Sequence, residues 1–370
     1  LLLWYNELLK EEKVKKLLII LMVTLTALST LPAVADCTSF AWSNQDESLH
    51  FLGRTYDYFG TLEANRISIV PVGYDYALNP EGTETAEVKY GFIAQSMLGL
   101  SSPIIIDGMN EKGLMACLLN YPGYAVYNTN DKEGALDIHP SFFLGYILGN
   151  CASVEEAAKA IENINLTDEL IFGEKMSVHY IISDSTGEAM IVEPDEGGIS
   201  VHRNTIGVMA NAPGYEWQKT NLKNYVAISN LDTPPVDILG ETFSAFGVGT
   251  GGSFGLPGGY SSPARFTRIA FTKMFAPKGS DEIDSVTRMF HNFAVVDIPE
   301  GLLRESSDSD HYEQSLCITV MCSETGNYYF SPYTDRRINC VNVHNALKSV
   351  SGTEIGYIPI PSEQDINYII

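Results

Sequence analysis

The chain is short of positive charge. Its 370 residues hold 23 Lys and Arg against 46 Asp and Glu, a formal net charge of −23. That balance excludes nucleic acid and anionic membrane surfaces as partners, because both are polyanions that a field of this sign repels. Salt screens the repulsion beyond roughly 8–10 Å, so a few local arginines can still capture a small anionic substrate. Cysteine is also scarce: Cys37, Cys117, Cys151, Cys317, Cys322 and Cys340 are all there are. No pair has CxxC spacing, and none clusters with the seven scattered histidines at zinc-ligand spacing. A structural metal is therefore not expected, and no cofactor is required. Apart from Cys37, the cysteines read as small buried hydrophobes, with a disulfide among them left open.

Long apolar runs are absent except for one near the N-terminus. Lys13, Lys15 and Lys16 precede "LLIILMVTLTAL", Leu17 to Leu28, and the run ends near Ala33-Val34-Ala35. Basic, apolar and small residues in that order are a secretion signal, too short to be a stable membrane span. Residues 1–36 are expected to be removed as signal peptide and short leader. Residues 37–370 are expected to form one domain, soluble and secreted or periplasmic. No linker, repeat or charge block divides them. Nor is there a nucleotide loop. The glycine-rich stretch "GVGTGGSFGLPGGYSSP" lacks the GxxxxGK[ST] and dinucleotide spacings, and reads as an irregular loop.

What is present is a pattern of strands and helices. "TSFAWS" and "LHFLGRTYDY" alternate around the turn "NQDES". "VHYIISD" and "EAMIVEP" form a second hairpin, and "QSLCITVMC", "GNYYFSPYT" and "RINCVNV" are further strands. Helices are expected over Ser141 to Asn150, Val154 to Ile164, Pro263 to Met274 and Asp281 to Phe293, with Ser153 and Glu156 as a capping box. This order implies an α+β fold of two sheets covered by helices.

Cys37 stands two residues beyond the expected end of the signal. A lipid attachment wants a small residue just before the cysteine, and Asp36 is there instead. A disulfide has no evident partner. The third reading is chemical. A chain cut before Cys37 carries a thiol and a free α-amine on one residue, with ordinary pKa values of about 8.5 and about 7.7–8.0. The amine can then take the thiol proton near neutral pH, so one residue supplies nucleophile and base. Such a site needs an oxyanion hole, a cation or donor near the thiolate and an anion for the amine. "GRTYD" supplies Arg54 and Asp57. Residues three apart on a strand face opposite ways, so a bend or strand end must bring both to one site.

The segments "CTSFAWS…FLGRTYDY", "DGMNEKGLMACLLNYPGY", "VMANAPGYEWQKTNLKNY", "SSPARFTR" and "TVMCSETGNYYF", in this order, resemble the choloylglycine hydrolase family, which contains bile salt hydrolases and penicillin V acylases. The resemblance implies a four-layer αββα sandwich of the N-terminal nucleophile hydrolase type, a homotetramer and a small-molecule amide substrate. It implies Cys37 as nucleophile with Arg54 and Asp57 beside it. It also implies Asn211 and the backbone N–H of Asn120 as oxyanion donors, and Arg265 as a stabilising cation. Asn at position 120, where many penicillin V acylases carry Tyr, points to conjugated bile salts. Other N-acyl amides, acyl-homoserine lactones among them, fit the same chemistry, and a binding protein with a dead hydrolase fold is the reading from outside enzymology. Tyr56, Tyr58 and Phe59 are candidates for the substrate-binding wall. Taken singly, Arg54–Asp57 reads as an ordinary ion pair, Asn120 as a turn residue, Asn211 as a cap and Arg265 as a solvated helix residue. The mature protein is expected to begin at Cys37. Intact mass and N-terminal sequencing check this, and a mature chain still starting at Asp36 contradicts it.

Overall fold

The computed structural model describes residues 36–97, 101–129, 133–246, 252–304, 306–307 and 310–369. The signal-like segment lies outside the described residues. Two large antiparallel sheets dominate. The first runs Val208–Met209, β1 (Cys37–Ser43), β2 (His50–Phe59), Tyr312–Cys322, Asn327–Pro332 and Asn339–Asn342, with Leu303–Arg304 added at Tyr312–Cys322. The second runs Gly198–His202, Ala189–Asp195, Val178–Ser183, Met115–Asn120, Ile104–Asn110, Phe92–Met97, β3 (Asn65–Val70) and Gly356–Pro359.

The strand sequences explain why the sheets stack. Along the second sheet, Met109, Met115, Cys117, Leu119, Ile181 and Ile191 point into a core shared with the first sheet. Their neighbours Leu114, Ala116, Tyr180, Ile182, Met190 and Val192 point the other way into a separate core. A period of two sends alternate residues to opposite faces, so strands apolar on both faces demand cover on both.

Helices provide that cover. Helix α1 (Pro140–Asn150) and α2 (Val154–Ile161) close the outer face of the second sheet. "FFLGYILG" is apolar around its whole circumference, as a fully buried helix must be. Half of the capping box forms: Ser153 Oγ accepts from the Glu156 N–H at 3.2 Å, while Glu156 Oε2 accepts from the N–H of Ala152, one residue before the N-cap, at 2.8 Å. Helix α3 (Tyr215–Asn221) follows the Asn211 loop. Helices α4 (Ser262–Phe275) and α5 (Glu282–Phe293) cover the first sheet through Phe266, Ile269, Met289 and Phe293. Helix α6 (Val343–Ser349) packs beside Phe92–Met97 and β3. The result is the expected αββα sandwich.

The expected helices are found within two or three residues of their bounds. Val154 to Ile164 ends early, at Ile161, because Ile164–Leu166 pairs as a strand with Leu136–Ile138. All six cysteines are free thiols. Cys340, expected to be buried, is exposed at a sheet edge.

Gly53 shows how tightly the first sheet is packed beneath α5. A Cβ built there would meet Thr319 O at 2.6 Å and Phe293 Cε2 at 2.8 Å. Gly53→Ala is expected to destabilise the fold by about 1–3 kcal/mol through overpacking, read as a lower urea midpoint.

Candidate active site

Cys37 is the first residue of β1, paired with Tyr56 of β2. Its side chain turns into the space between the sheets, and the residue is 2 % exposed. Being at a strand end, it can be reached from both faces of the sheet.

Arg54 approaches from the inter-sheet side. Its Nη2 donates to Cys37 Sγ at 2.6 Å. Nη1 donates to Ile106 O at 3.2 Å and Leu118 O at 3.0 Å, and Nε to Thr55 O at 3.1 Å. The buried Asp107 carboxylate lies 3.9 Å from Nη1. Asp107 itself accepts from the Tyr328 hydroxyl.

Asp57 approaches from the helix side. The pairing of β2 with Tyr312–Cys322 shifts register between Tyr56 and Asp57, from Cys317 to Ser315. The extra residue, Leu316, lies on the partner strand, so Arg54 and Asp57 keep opposite faces, and it is the end of β1 that lets both reach Cys37. The Asp57 carboxylate accepts from Thr55 Oγ1 at 2.9 Å and Ser315 Oγ at 2.6 Å. Its N–H donates to Asp36 O at 3.1 Å.

Asn211 and Arg265 complete the cluster. Asn211 Oδ1 accepts from the Cys37 N–H at 2.7 Å, and its Nδ2 donates to Asn120 O at 2.7 Å. Arg265 is fully buried in the first turn of α4. It donates to Asn211 Oδ1 at 2.8 Å, to Thr38 Oγ1 at 2.7 Å and to Cys37 O. Its Nη2 also lies 3.1 Å from the Asp36 carboxylate. The glycine-rich loop holds the arginines of this helix: Tyr260 O accepts from Arg265 Nε, and Pro257 O and Gly259 O from Arg268. It is a loop that supplies carbonyls, and Gly247 to Gly251 lie outside the described residues.

Cys37, Arg54, Asp57, Asn120, Asn211 and Arg265 therefore converge. An apolar cavity of about 140 Å³ opens onto Cys37, Arg54 and Asn120, with Tyr56 and Tyr58 in its wall. The two tyrosine rings stack at 5.8 Å, and the Arg54 guanidinium sits 5.0 Å from the Tyr56 ring centre. Alternation puts Tyr56 and Tyr58 on the Arg54 face. Phe59 is the exception among the expected wall residues: it is buried at the far end of β2, outside the cavity lining, because it points to the other face. Sequence reasoning missed Asp107. Asp107 stood in the quoted "DGMNEKGL", and a carboxylate inside an apolar strand was the available signal.

The charges are deeply buried. Burial pushes the Cys37 thiol up to about 12, opposed by Arg54 and reinforced by Asp57. With Asp36 still attached, the sulfur keeps its proton at neutral pH. Burial also raises the Asp57 carboxyl to about 6, opposed by Arg265 and the Ser315 and Thr55 hydroxyls. Asp107 rises to about 6 for the same reason, opposed by Arg54. Among the described residues, no group of three or more His, Cys, Asp or Glu could hold a metal ion. A larger hollow of about 610 Å³, bounded by Trp42, Lys273 and Lys278, touches none of the clustered residues.

A buried thiol under a guanidinium, amide donors beside it and an αββα frame define a hydrolase of linear amide bonds. The match to the model of the linear amide C–N hydrolases, choloylglycine hydrolase family, covers residues 37–352, and the chain belongs to that family. It is 30% identical over 338 residues to the bile salt hydrolase/transferase of Clostridium perfringens, covering 90% of this chain and 99% of that protein. The conjugated bile acid hydrolase structure from the same species is 29% identical with a TM-score of 0.80, covering 90% and 99%. The structure of penicillin V acylase from Agrobacterium tumefaciens, 21% identical, has a TM-score of 0.66 over 87% of this chain and 90% of that one, a likeness of fold.

The Asp57 carboxyl yields a pH prediction. Its pKa is raised from 3.8, so the folded state binds the proton more tightly than the unfolded one. It therefore costs stability as pH rises from about 4 to about 6, and that cost is constant above. In a Cys37→Ala background produced with Asp36 present, adding Asp57→Asn is expected to raise Tm relative to the parent progressively across that window. A Tm difference independent of pH contradicts the assignment.

Proposed function

We propose that the chain hydrolyses the amide bond of glycine- or taurine-conjugated bile salts through a thioester on Cys37. The observation that carries the reading is the 2.6 Å contact from Arg54 Nη2 to Cys37 Sγ in the lining of an apolar cavity.

The steps follow from the geometry. Removal of residues 1–36 turns the Cys37 nitrogen from an amide into an amine that can take the thiol proton. The thiolate is stabilised by Arg54 and attacks the amide carbon. Charge gathering on the carbonyl oxygen is met by Asn211 Nδ2 and the Asn120 backbone N–H, whose residues lie against each other. Arg265 holds Asn211 and the Cys37 carbonyl in place. The amine product leaves with the proton. Water then attacks the thioester, releasing the acid and restoring the thiol. Cys37 is a free thiol, which disfavours a dead fold with this cysteine locked in a disulfide. The basic, apolar and small residues before Asp36 support a location outside the cytoplasm for the mature enzyme, and assembly as a homotetramer follows the family expectation.

Asn120 and the bile salt hydrolase relatives favour a steroid acyl group. One observation favours a second reading, a penicillin V acylase. The cavity of about 140 Å³ is below the ~300–1,000 Å³ of ordinary ligand pockets, and a phenoxyacetyl group fits it with less displacement than a steroid. Acid release from glycocholate and from penicillin V, measured in parallel, separates the two. Glycocholate is expected to turn over at least roughly tenfold faster in kcat/KM, about 1.4 kcal/mol of differential transition-state binding. Cys37→Ala is expected to abolish both. Faster penicillin V cleavage overturns the substrate assignment and keeps the mechanism. Activity surviving in Cys37→Ala overturns the mechanism.

A further inference from the structure

Asp36 is held at each of its polar groups. Its backbone N–H donates to Glu313 Oε1 at 2.8 Å, its carbonyl accepts from the Asp57 N–H at 3.1 Å, and its carboxylate lies 3.1 Å from Arg265 Nη2. On the far side of the peptide bond, the Cys37 N–H is fixed by Asn211 Oδ1. A residue destined only for removal has no need of such fixing. A bond poised for attack does.

Glu313 is the unexplained member. It lies on Tyr312–Cys322 opposite Phe59, and it is 5 % exposed. The side chains around it are unfavourable: Asp36 and Asp57 are also acidic, and Arg265 is the one cation acting on all three. Two buried carboxylates and the part-exposed Asp36 against one guanidinium is a costly excess of negative charge. An amide N–H does not correct it, and burial with the charges of Asp36 and Asp57 pushes Glu313 up to about 8. A second cation at the position of the Asp36 nitrogen does correct it. Cleavage of the signal after Ala35 would create one there, the α-ammonium of Asp36.

We infer that Glu313 is the docking carboxylate for a free α-ammonium at Asp36, and that it positions the Asp36–Cys37 bond for attack by the Cys37 thiol. This rests on Cys37 as nucleophile and on signal cleavage after Ala35. The reaction is an N-to-S acyl shift followed by hydrolysis. Sγ bonds to the Asp36 carbonyl carbon, the C–N bond breaks, and the thiol proton passes to the Cys37 nitrogen. The Asp57 N–H supports the charge on the Asp36 oxygen during the attack. Water then hydrolyses the thioester, releasing aspartic acid and regenerating the thiol. The charge count supports this order. With the leader docked, Asp36, Asp57 and Glu313 face Arg265 and the Asp36 ammonium, one negative charge in excess. After release, Asp57 and Glu313 face Arg265 and the new Cys37 ammonium, and the site is balanced. Glu313 is thus a positioning residue for maturation and is not needed for turnover of the amide substrate.

The test is Glu313→Gln, which keeps shape and a hydrogen-bond acceptor but removes the charge. The full chain, expressed with its N-terminal segment in a secreting host, is followed by intact mass over time. Wild type is expected to accumulate chains starting at Cys37, and E313Q to show chains starting at Asp36 that mature at least tenfold more slowly. The same substitution is then made in a chain encoded as Met followed by Cys37, from which the host removes Met. That protein is expected to hydrolyse amide substrate at the rate of its Glu313 counterpart and to melt at a similar temperature. Maturation of E313Q at the wild-type rate overturns the inference. So does a Cys37-start E313Q that is itself inactive or unfolded, since Glu313 would then serve turnover or the fold. Wild type that retains Asp36 and is fully active overturns instead the reading of Cys37 as an N-terminal nucleophile, a distinguishable failure.

Discussion

A guanidinium sealed between two sheets organises this protein. Arg54 is fully buried, and a buried cation is tolerated only when its donors are occupied and its charge is offset. Both conditions shape the structure around it. Two donors are taken by the carbonyls of Ile106 and Leu118, so the second sheet must sit at one distance and register from the first. The charge is offset by Asp107, which the Tyr328 hydroxyl steadies from the opposite sheet. Nε donates to Thr55 O, and Nη2 points at Cys37 Sγ. The group that stabilises sulfur is thus also the group that ties the layers together, and the nucleophile cannot move without disturbing the core.

The other side of the site is built on a second buried guanidinium. Arg265 reaches Cys37 O, Thr38, Asn211 and Asp36 from the first turn of α4, and the glycine-rich loop braces it through Tyr260 O. Cys37 at the end of β1 is where these two systems meet. A mid-strand residue would present its side chain to one face only. A strand-end residue has its side chain on the inter-sheet face and its nitrogen open toward the loop and helix face. This is the geometric reason one residue can offer both thiol and amine to one substrate.

Burial sets the chemistry as strongly as contact does. With the leader attached, the thiol at about 12 holds its proton at neutral pH, and the acids Asp57, Asp107 and Glu313 all lie above their ordinary range. Each departure has the same leading cause, loss of water, and each is tempered by a guanidinium or a hydroxyl. Exchange of an amide nitrogen for an amine at Cys37 changes this balance at its centre. The proposed maturation would therefore switch the electrostatics of the site as well as expose an atom.

Much of this was legible in the sequence. Alternation in "VHYIISD" and "EAMIVEP", the stripe and capping box of α2, and Pro263 at the start of α4 are local signals, and local signals survive without a fold. Cys37 was legible because a thiol beside an expected cleavage point has few uses. The convergence of Arg54 with Asp57 was stated only as a requirement for a bend. The register shift between Tyr56 and Asp57 depends on the partner strand at Tyr312–Cys322, more than 250 positions away, and no local pattern encodes it. The same holds for Cys340, whose exposure follows from its edge strand. Asp107 and Glu313 acquire meaning only from neighbours brought in by other strands. The chain's own order of residues determined the elements and the family, and singled out Cys37 as the candidate nucleophile. Tertiary structure decided which charges share a buried space, because electrostatic coupling acts through distance and exclusion of water, and neither exists until the sheets have closed.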